Sequence, residues 1–279
     1  MISKVTDNDD IMRPVSLDEQ KKILIEMLGY ICDICRKNNI KYTLIGGSLI
    51  GAIRHGGIIP WDDDVDIVLL PDEYKKLIKV LSKEKNKEYH LFSPDESEDY
   101  PYPFAKLVYT KTRLEEIGIK NIKNYGVYLD IFSYHYVSNN KILRFLHYKA
   151  IEKTKRLLTI STFADSRASN NGVFKKAVCH IISAISTKRF KSLFRQLTKV
   201  NRPTRYVLSN WPVYGFKKEI QEAKDFENFI HCSFCGVDVL ISANYDKILS
   251  KTYGDYMKMP PVEKRQSNHS TRVYWRKNK

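Results

Sequence analysis

Apolar residues along this chain recur in two rhythms, one spaced as on a helix face and one as in a buried strand. Ser16-Leu17-Asp18-Glu19 has the form of a capping box, and Leu17, Leu24, Met27, Leu28, Ile31 and Ile34 follow at helical spacing. This predicts an amphipathic helix to about Lys37, stopped by Asn38-Asn39. Tyr42-Thr43-Leu44-Ile45 reads as a strand, Gly46-Gly47 as a turn and Ser48 to Arg54 as a short helix capped by Ser48. Val65 to Leu70 has the β-branched character of a buried strand. Pro71 then opens a helix whose apolar face is Tyr74, Leu77, Ile78 and Leu81. Tyr89–Phe92, Ala105–Tyr109 and Gly126–Phe132 read as further strands.

The second half is different in character. Lys141 to Leu158 is helical and basic, and Asp165 to Gly172 reads as a polar linker. An apolar stripe flanked by cations runs from Phe174 to Leu197, fitting either a helical subdomain on the core or a helix resting on anionic lipid. Phe226 to Ser242 reads as a hairpin, Tyr245 to Tyr253 as a helix and Tyr253 to Pro261 as a rigid loop. Residues 1–14 and the last ten residues read as loose ends.

The candidate chemistry lies between Ile45 and Leu70. Asp62, Asp63 and Asp64 are consecutive, and Asp66 follows inside the apolar run. Strand alternation turns Asp64 and Asp66 to one face and Val65 and Ile67 to the other. Two carboxylates side by side on a buried strand repel each other and lose hydration unless a cation lies between them. Oxygen ligands of that kind suit Mg²⁺ or Mn²⁺. The preceding Gly46-Gly47-Ser48 turn offers backbone N–H groups to a phosphate. Taken alone, such a turn is ordinary and an acidic triplet is a solvated loop; their close succession makes the pair a candidate site. Asp130, between Leu129 and Ile131, reads by itself as a structural hydrogen-bond acceptor. Lys106 reads as a phosphate ligand or an exposed edge lysine.

Composition narrows the classes. The 279 residues allow one large domain or a domain with an insertion, and the net charge of +15 asks for an acidic partner. A nucleic-acid module would need basic–aromatic platforms rather than buried aspartates, so nucleic acid is not the expected partner. There is no apolar run of about 18 residues and no signal-like start, and the odd count of five cysteines fits a reduced compartment. The pairs Cys32/Cys35 and Cys232/Cys235 could spell zinc, but the first lies within a helix, which favours free thiols.

The stretch GGSLIGAIRHGGIIPWDDDVDI resembles the signature of the LicD family, which is itself similar to fukutin-type transferases. Tyr125 to Phe132 and Tyr253 to Pro261 match in order, so the resemblance covers roughly residues 20–135 and 225–269. It implies an α+β nucleotidyltransferase (DNA polymerase beta-like) fold, a mixed sheet flanked by helices with a helical insertion. The implied division is a catalytic core at 15–135, a basic helical region at 136–224 and a C-terminal part at 225–269 returning to the core. The implied reaction is transfer of phosphocholine from CDP-choline to a sugar hydroxyl of a cell-surface glycan or teichoic acid precursor. Ribitol-phosphate, glycerol-phosphate or nucleotide transfer is the alternative. Asp64, Asp66 and Asp130 would hold Mg²⁺ or Mn²⁺ and serve catalysis. Gly46, Gly47, Ser48, Arg54 and Lys106 would hold donor phosphate, as would Lys264, Arg265 and His269 on the returning tail. The expected location is cytoplasmic, with peripheral contact at the inner membrane face through the basic stripe.

Overall fold

The computed structural model describes residues 11–94, 100, 102–116, 122, 124–167, 187–199, 202–267 and 271–277. In chain order the first elements are β1 (Ile11–Pro14), α1 (Leu17–Lys37), β2 (Thr43–Leu44), α2 (Gly46–His55), β3 (Asp66–Leu69) and α3 (Pro71–Leu81). Next come β4 (Tyr89–Phe92), β5 (Ala105–Tyr109), β6 (Thr112–Glu116), β7 (Tyr128–Val137) and α4 (Lys141–Arg167). The remainder comprises α5 (Thr187–Leu197), β8 (Tyr206–Ser209), α6 (Phe216–Glu219), β9 (Gln221–Glu222), β10 (Phe229–Phe234), β11 (Val237–Ser242), α7 (Tyr245–Tyr253) and β12 (Thr271–Arg276).

The capping box starts α1 as its sequence predicts. Ser16 Oγ accepts from Glu19 N, and Glu19 Oε2 accepts from Ser16 N at 2.9 Å. Asn39, with a φ of 49°, turns the chain away after Lys37. One face of α1 buries Leu24, Met27, Leu28 and Ile31 against Leu44, Ile67, Leu107, Leu129 and Ile131 of the sheet. Each such side chain contributes roughly 1.5–3 kcal/mol by leaving water.

The main sheet is mixed, in the order β2-β3-β7-β5-β4, with β8 and β9 added beyond the far half of β7. β3 runs parallel to β7, while β2–β3, β5–β7 and β4–β5 are antiparallel. Strand alternation sorts the two faces. Ile67, Leu69, Leu129 and Ile131 join the α1 core, whereas Val68 and Tyr134 pack with Val207, Phe226 and Ile248 on the other side.

Several local expectations change. Ser48 does not cap α2, which starts two residues earlier at Gly46 and has no side-chain cap; the Ser48 hydroxyl is used elsewhere. Asp64 precedes β3 rather than lying in it. The two chain ends are ordered where they find each other: β12 pairs with β1 and with β6, forming a separate three-stranded sheet. Neither strand has a pairing partner near it in sequence; only a distant segment supplies its hydrogen bonds. β8 is likewise a short strand completing a sheet built elsewhere.

In the basic region, Phe194 is fully buried against Val137, Tyr148, Ile151 and Leu208. Lys191 is buried too, so this end of the cationic stripe is core rather than a free membrane face, although Leu193 stays exposed. Residues 174–186 of the stripe lie outside the described residues. No helix among the described residues is long and apolar enough to cross a membrane. Cys32, Cys35, Cys232 and Cys235 are free thiols, and Cys32 Sγ lies 2.9 Å from Tyr42 Oη. Among the described residues no cysteine joins a group of metal ligands, which disfavours zinc.

Candidate active site

Strand register builds the acidic pair. Asp66 on β3 lies directly opposite Asp130 on β7. On the other side of β7, Lys106 of β5 is opposite the same Asp130. Residues opposite one another share a face, so two carboxylates and an ammonium form one row across three strands. Phe132 and Tyr134 continue that face along β7.

The start of α2 is latched to this row. Ser48 Oγ accepts a hydrogen bond from Asp66 N at 2.9 Å, and Ile45 N donates to Asp66 O at 3.2 Å. Gly46 adopts a φ of 62°, the left-handed region that favours glycine. A Cβ there would stand 3.8 Å from Asp66 Oδ2 and 3.6 Å from Tyr253 Oη. At Gly47 a Cβ would meet Asp62 Oδ2 at 2.5 Å, so the Asp62 carboxylate rests directly against the start of the helix.

Electrostatics single out Asp66. Its Oδ1 is sealed from solvent and has no hydrogen-bond partner. Burial first, then the Asp64 and Asp130 carboxylates, push its carboxyl well above the usual carboxylate range, and Lys106 offsets this only in part. The donor set around it is all oxygen. That fits Mg²⁺ or Mn²⁺, and the orphaned Oδ1 is an atom such an ion would satisfy.

The three expected ligands are not, however, gathered at ligand spacing. Among the described residues the group with one oxygen from each within 4.8 Å is Asp62, Asp63 and Asp64. Asp130 Oδ1 instead accepts from Lys106 Nζ at 2.5 Å, because the β5–β7 register provides it with a counter-ion. Lys106 is therefore no exposed edge residue. It is 2% exposed on an interior strand, with its ammonium 3.4 Å from the centre of the Tyr128 ring.

Above the row opens a cleft with a cavity volume of about 120 Å³. Asp66 and Gly46 form part of its lining, together with Phe132, Tyr134, Trp211, Tyr214, Glu219 and Tyr253. Such a place can hold a small anionic ester with its reacting phosphorus at the carboxylates and its substituent among the rings.

Residues 39–162 match the family described as LicD/FKTN/FKRP, nucleotidyltransferase domain. The lipopolysaccharide cholinephosphotransferase LicD of Haemophilus influenzae is 31% identical over 272 residues, covering 94% of this chain and 99% of that one. The chain belongs to the LicD family. It is a LicD-like transferase. Ribitol 5-phosphate transferase FKRP, from mouse and from human, is 48% identical over 46 residues, 16% of this chain and 9% of that one.

Of the remaining expected residues of this LicD-like chain, Arg54, Lys264 and Arg265 are not part of the cleft lining. Arg54 Nη1 donates to Tyr256 O at 2.6 Å and to Lys258 O at 3.3 Å, tying α2 to the loop after α7. Burial, with Arg265 nearby, lowers the Arg54 pKa. Arg265 Nε donates to Pro260 O, and its guanidinium lies 5.6 Å from the centre of the Trp61 ring. Lys264 is exposed, and His269 lies outside the described residues.

Sequence reading missed the aromatic wall of the LicD-like cleft. Tyr253 lies in one of the matching motifs, but Trp211, Tyr214 and Glu219 fall in a stretch with neither helical nor strand periodicity. The run Trp211-Pro212-Val213-Tyr214-Gly215-Phe216 is a usable signal, since it reads as a loop and loops often carry binding residues. Glu219 Oε1 accepts from Val213 N and Tyr214 N, which fixes this loop over the cleft.

Proposed function

We propose that this LicD-like transferase moves phosphocholine from CDP-choline to a sugar hydroxyl of a cell-surface glycan, on a nucleotidyltransferase fold. The observation that carries the reading is the register of Asp66 with Asp130 beneath the cleft, with Asp66 Oδ1 buried and unsatisfied. Full-length similarity to a lipopolysaccharide cholinephosphotransferase supports the choice of headgroup and acceptor. A helix opening on Gly46-Gly47, an aspartate strand after it and a parallel strand carrying Asp130 support the fold.

Asp64, Asp66 and Asp130 are the residues that would hold Mg²⁺ or Mn²⁺. When bound, such an ion supplies charge neutralisation for the diphosphate and the reacting oxygens. The protein's own part is alignment. Gly46 and Gly47 let a phosphate approach the backbone at the start of α2. Lys106 balances Asp130 within the sheet, and the Asp66 carboxylate, whose proton affinity is raised by burial and its acidic neighbours, can accept the proton of an acceptor hydroxyl placed beside it. The apolar walls around Phe132 and Tyr134 exclude water, which would otherwise compete for the phosphorus.

The test is a transfer assay with Mg²⁺ or Mn²⁺ in which CDP-choline, CDP-ribitol and a nucleoside triphosphate are offered with a lipopolysaccharide or teichoic acid precursor. CMP release and the acceptor's mass are followed. A phosphocholine increment from CDP-choline alone is the expected result. Transfer only from CDP-ribitol, which the short FKRP match would favour, overturns the donor assignment; no transfer from any donor overturns the reaction.

A further inference from the structure

The first turns of α4 carry apolar side chains on the side away from the core. Arg144, Tyr148, Ile151 and Leu158 form the buried face of the helix. Ile142 and Leu146, one turn apart, lie on the opposite face, flanked by Leu143 and Phe145. Ile142 is 70% exposed, and the other three are exposed with it. Ile142, Leu143 and Leu146 join no hydrophobic cluster among the described residues. We propose that this face, with the neighbouring loop at Val213, is a docking surface for an anionic lipid bilayer. It is a different surface from the Phe174–Leu197 stripe, and it stands whichever phosphate ester the chain transfers.

The exposed turn is firmly built. Asn140 Oδ1 accepts from Ile142 N and Leu143 N at 2.9 and 3.2 Å, and Arg144 Nη1 donates to Ser138 O and Asn139 O. A capped first turn holds these apolar side chains in place while leaving them in water, which is unfavourable until something covers them. Lying so close together they make a patch, unlike apolar residues scattered singly over a surface.

Charge decides the occupant. From Lys141 to Ile160, α4 has six lysines and arginines and one carboxylate, Glu152, which Lys149 and Arg156 already engage. Lys141, Lys149, Lys153 and Arg156 are exposed. The first turn has no acidic residue, and Lys141 sits there against the positive end of the helix dipole, a repulsion that an anionic surface relieves. A second copy pairing through the same patch would bring these lysines onto one another, in a chain of net charge +15. An apolar turn ringed by ammonium groups on flexible stems suits a bilayer, where the apolar side chains enter the acyl boundary and the lysines reach the phosphates.

Position links the patch to the cleft. Phe145 meets Phe216 edge to face with ring centroids 5.2 Å apart, and Lys155 Nζ donates to Pro212 O at 2.6 Å. These contacts hold α4 against the loop whose exposed Val213 lines the cleft, with Lys217 and Lys218 exposed just beyond it. A bilayer met by Ile142, Leu146 and Val213 therefore lies beside the cleft, where an acceptor carried on lipid would arrive.

Co-sedimentation of the full chain with vesicles tests this surface. Wild type should bind vesicles of equal parts phosphatidylglycerol and phosphatidylcholine at low salt and release them at high salt. Pure phosphatidylcholine should bind at least roughly tenfold more weakly. Ile142→Gln with Leu146→Gln, and separately Lys149→Gln with Lys153→Gln, should each weaken binding to the anionic vesicles about tenfold. Both variants should keep the wild-type melting temperature and turnover on a water-soluble acceptor. No binding by wild type, equal binding to both vesicles, or unchanged binding by either variant overturns the docking surface. A melting temperature several degrees lower in Ile142→Gln with Leu146→Gln also overturns it, because the chain's own residues would then cover the patch. So does a wild-type dimer that the same variant dissociates. Turnover is read separately. Vesicle binding without turnover of any CDP ester keeps the surface and removes the transferase, and turnover without vesicle binding does the reverse.

Discussion

Lys106 Nζ stands 2.5 Å from Asp130 Oδ1, with the two side chains 3% and 11% exposed. The pair spans adjacent strands at exact register, beside the unsatisfied carboxylate of Asp66. It decides how the row of charges is balanced when only protein groups are present.

Breaking that pair from either side should be costly. Lys106→Met leaves a buried carboxylate without its ammonium, and Asp130→Asn leaves a buried ammonium without its carboxylate; each should lose roughly 3–5 kcal/mol. The double variant should lose less than the sum, which urea titration of all four proteins will measure.

Asp66→Asn should do the opposite. It removes a buried charge that Asp64 and Asp130 oppose, so the metal-free protein should gain roughly 1–3 kcal/mol while losing transfer. The urea midpoint should rise with an unchanged slope. A fall in the midpoint would mean that Asp66 is balanced by groups other than a cation.

Mg²⁺ or Mn²⁺ at saturating concentration should raise the wild-type melting temperature by roughly 5 °C, because only the folded chain sets Asp66, its Oδ1 buried and unsatisfied, opposite Asp130. The shift should vanish in Asp66→Asn. Calorimetric scans with and without the ion, repeated with CDP-choline present, make the comparison.

His135 predicts an acid-side loss of stability unrelated to the cleft. Its ring is 1% exposed, neither nitrogen has a hydrogen-bond partner, and His147 lies 5.5 Å away. Burial first, then His147, depress its pKa to about 3. The unfolded chain titrates near pH 6.5 and so binds the proton first. The stability held above that pH falls away as pH drops toward the folded value, by about 2 kcal/mol between pH 7 and pH 5. His135→Phe should flatten that part of the stability–pH curve, measured by denaturant titration at each pH.

What the sequence determined was what neighbours in the chain decide. The capping box places the start of α1, Pro71 opens α3, and the apolar run bounded by Asp66 makes β3, because capping and periodicity act within a turn or two. It also marked Asp64, Asp66 and Asp130 as the carboxylates to watch. Tertiary structure decided everything that depends on register between distant segments. It set Asp130 between Asp66 and Lys106, turned the Ser48 hydroxyl from a helix cap into an anchor for Asp66, and joined Thr271–Arg276 to Ile11–Pro14. It likewise brought Tyr214 to Tyr253 across 39 residues of chain to make the corner of the cleft. Burial and charge balance belong to partners that meet only when the chain is closed, and local pattern carries no record of which partners those are.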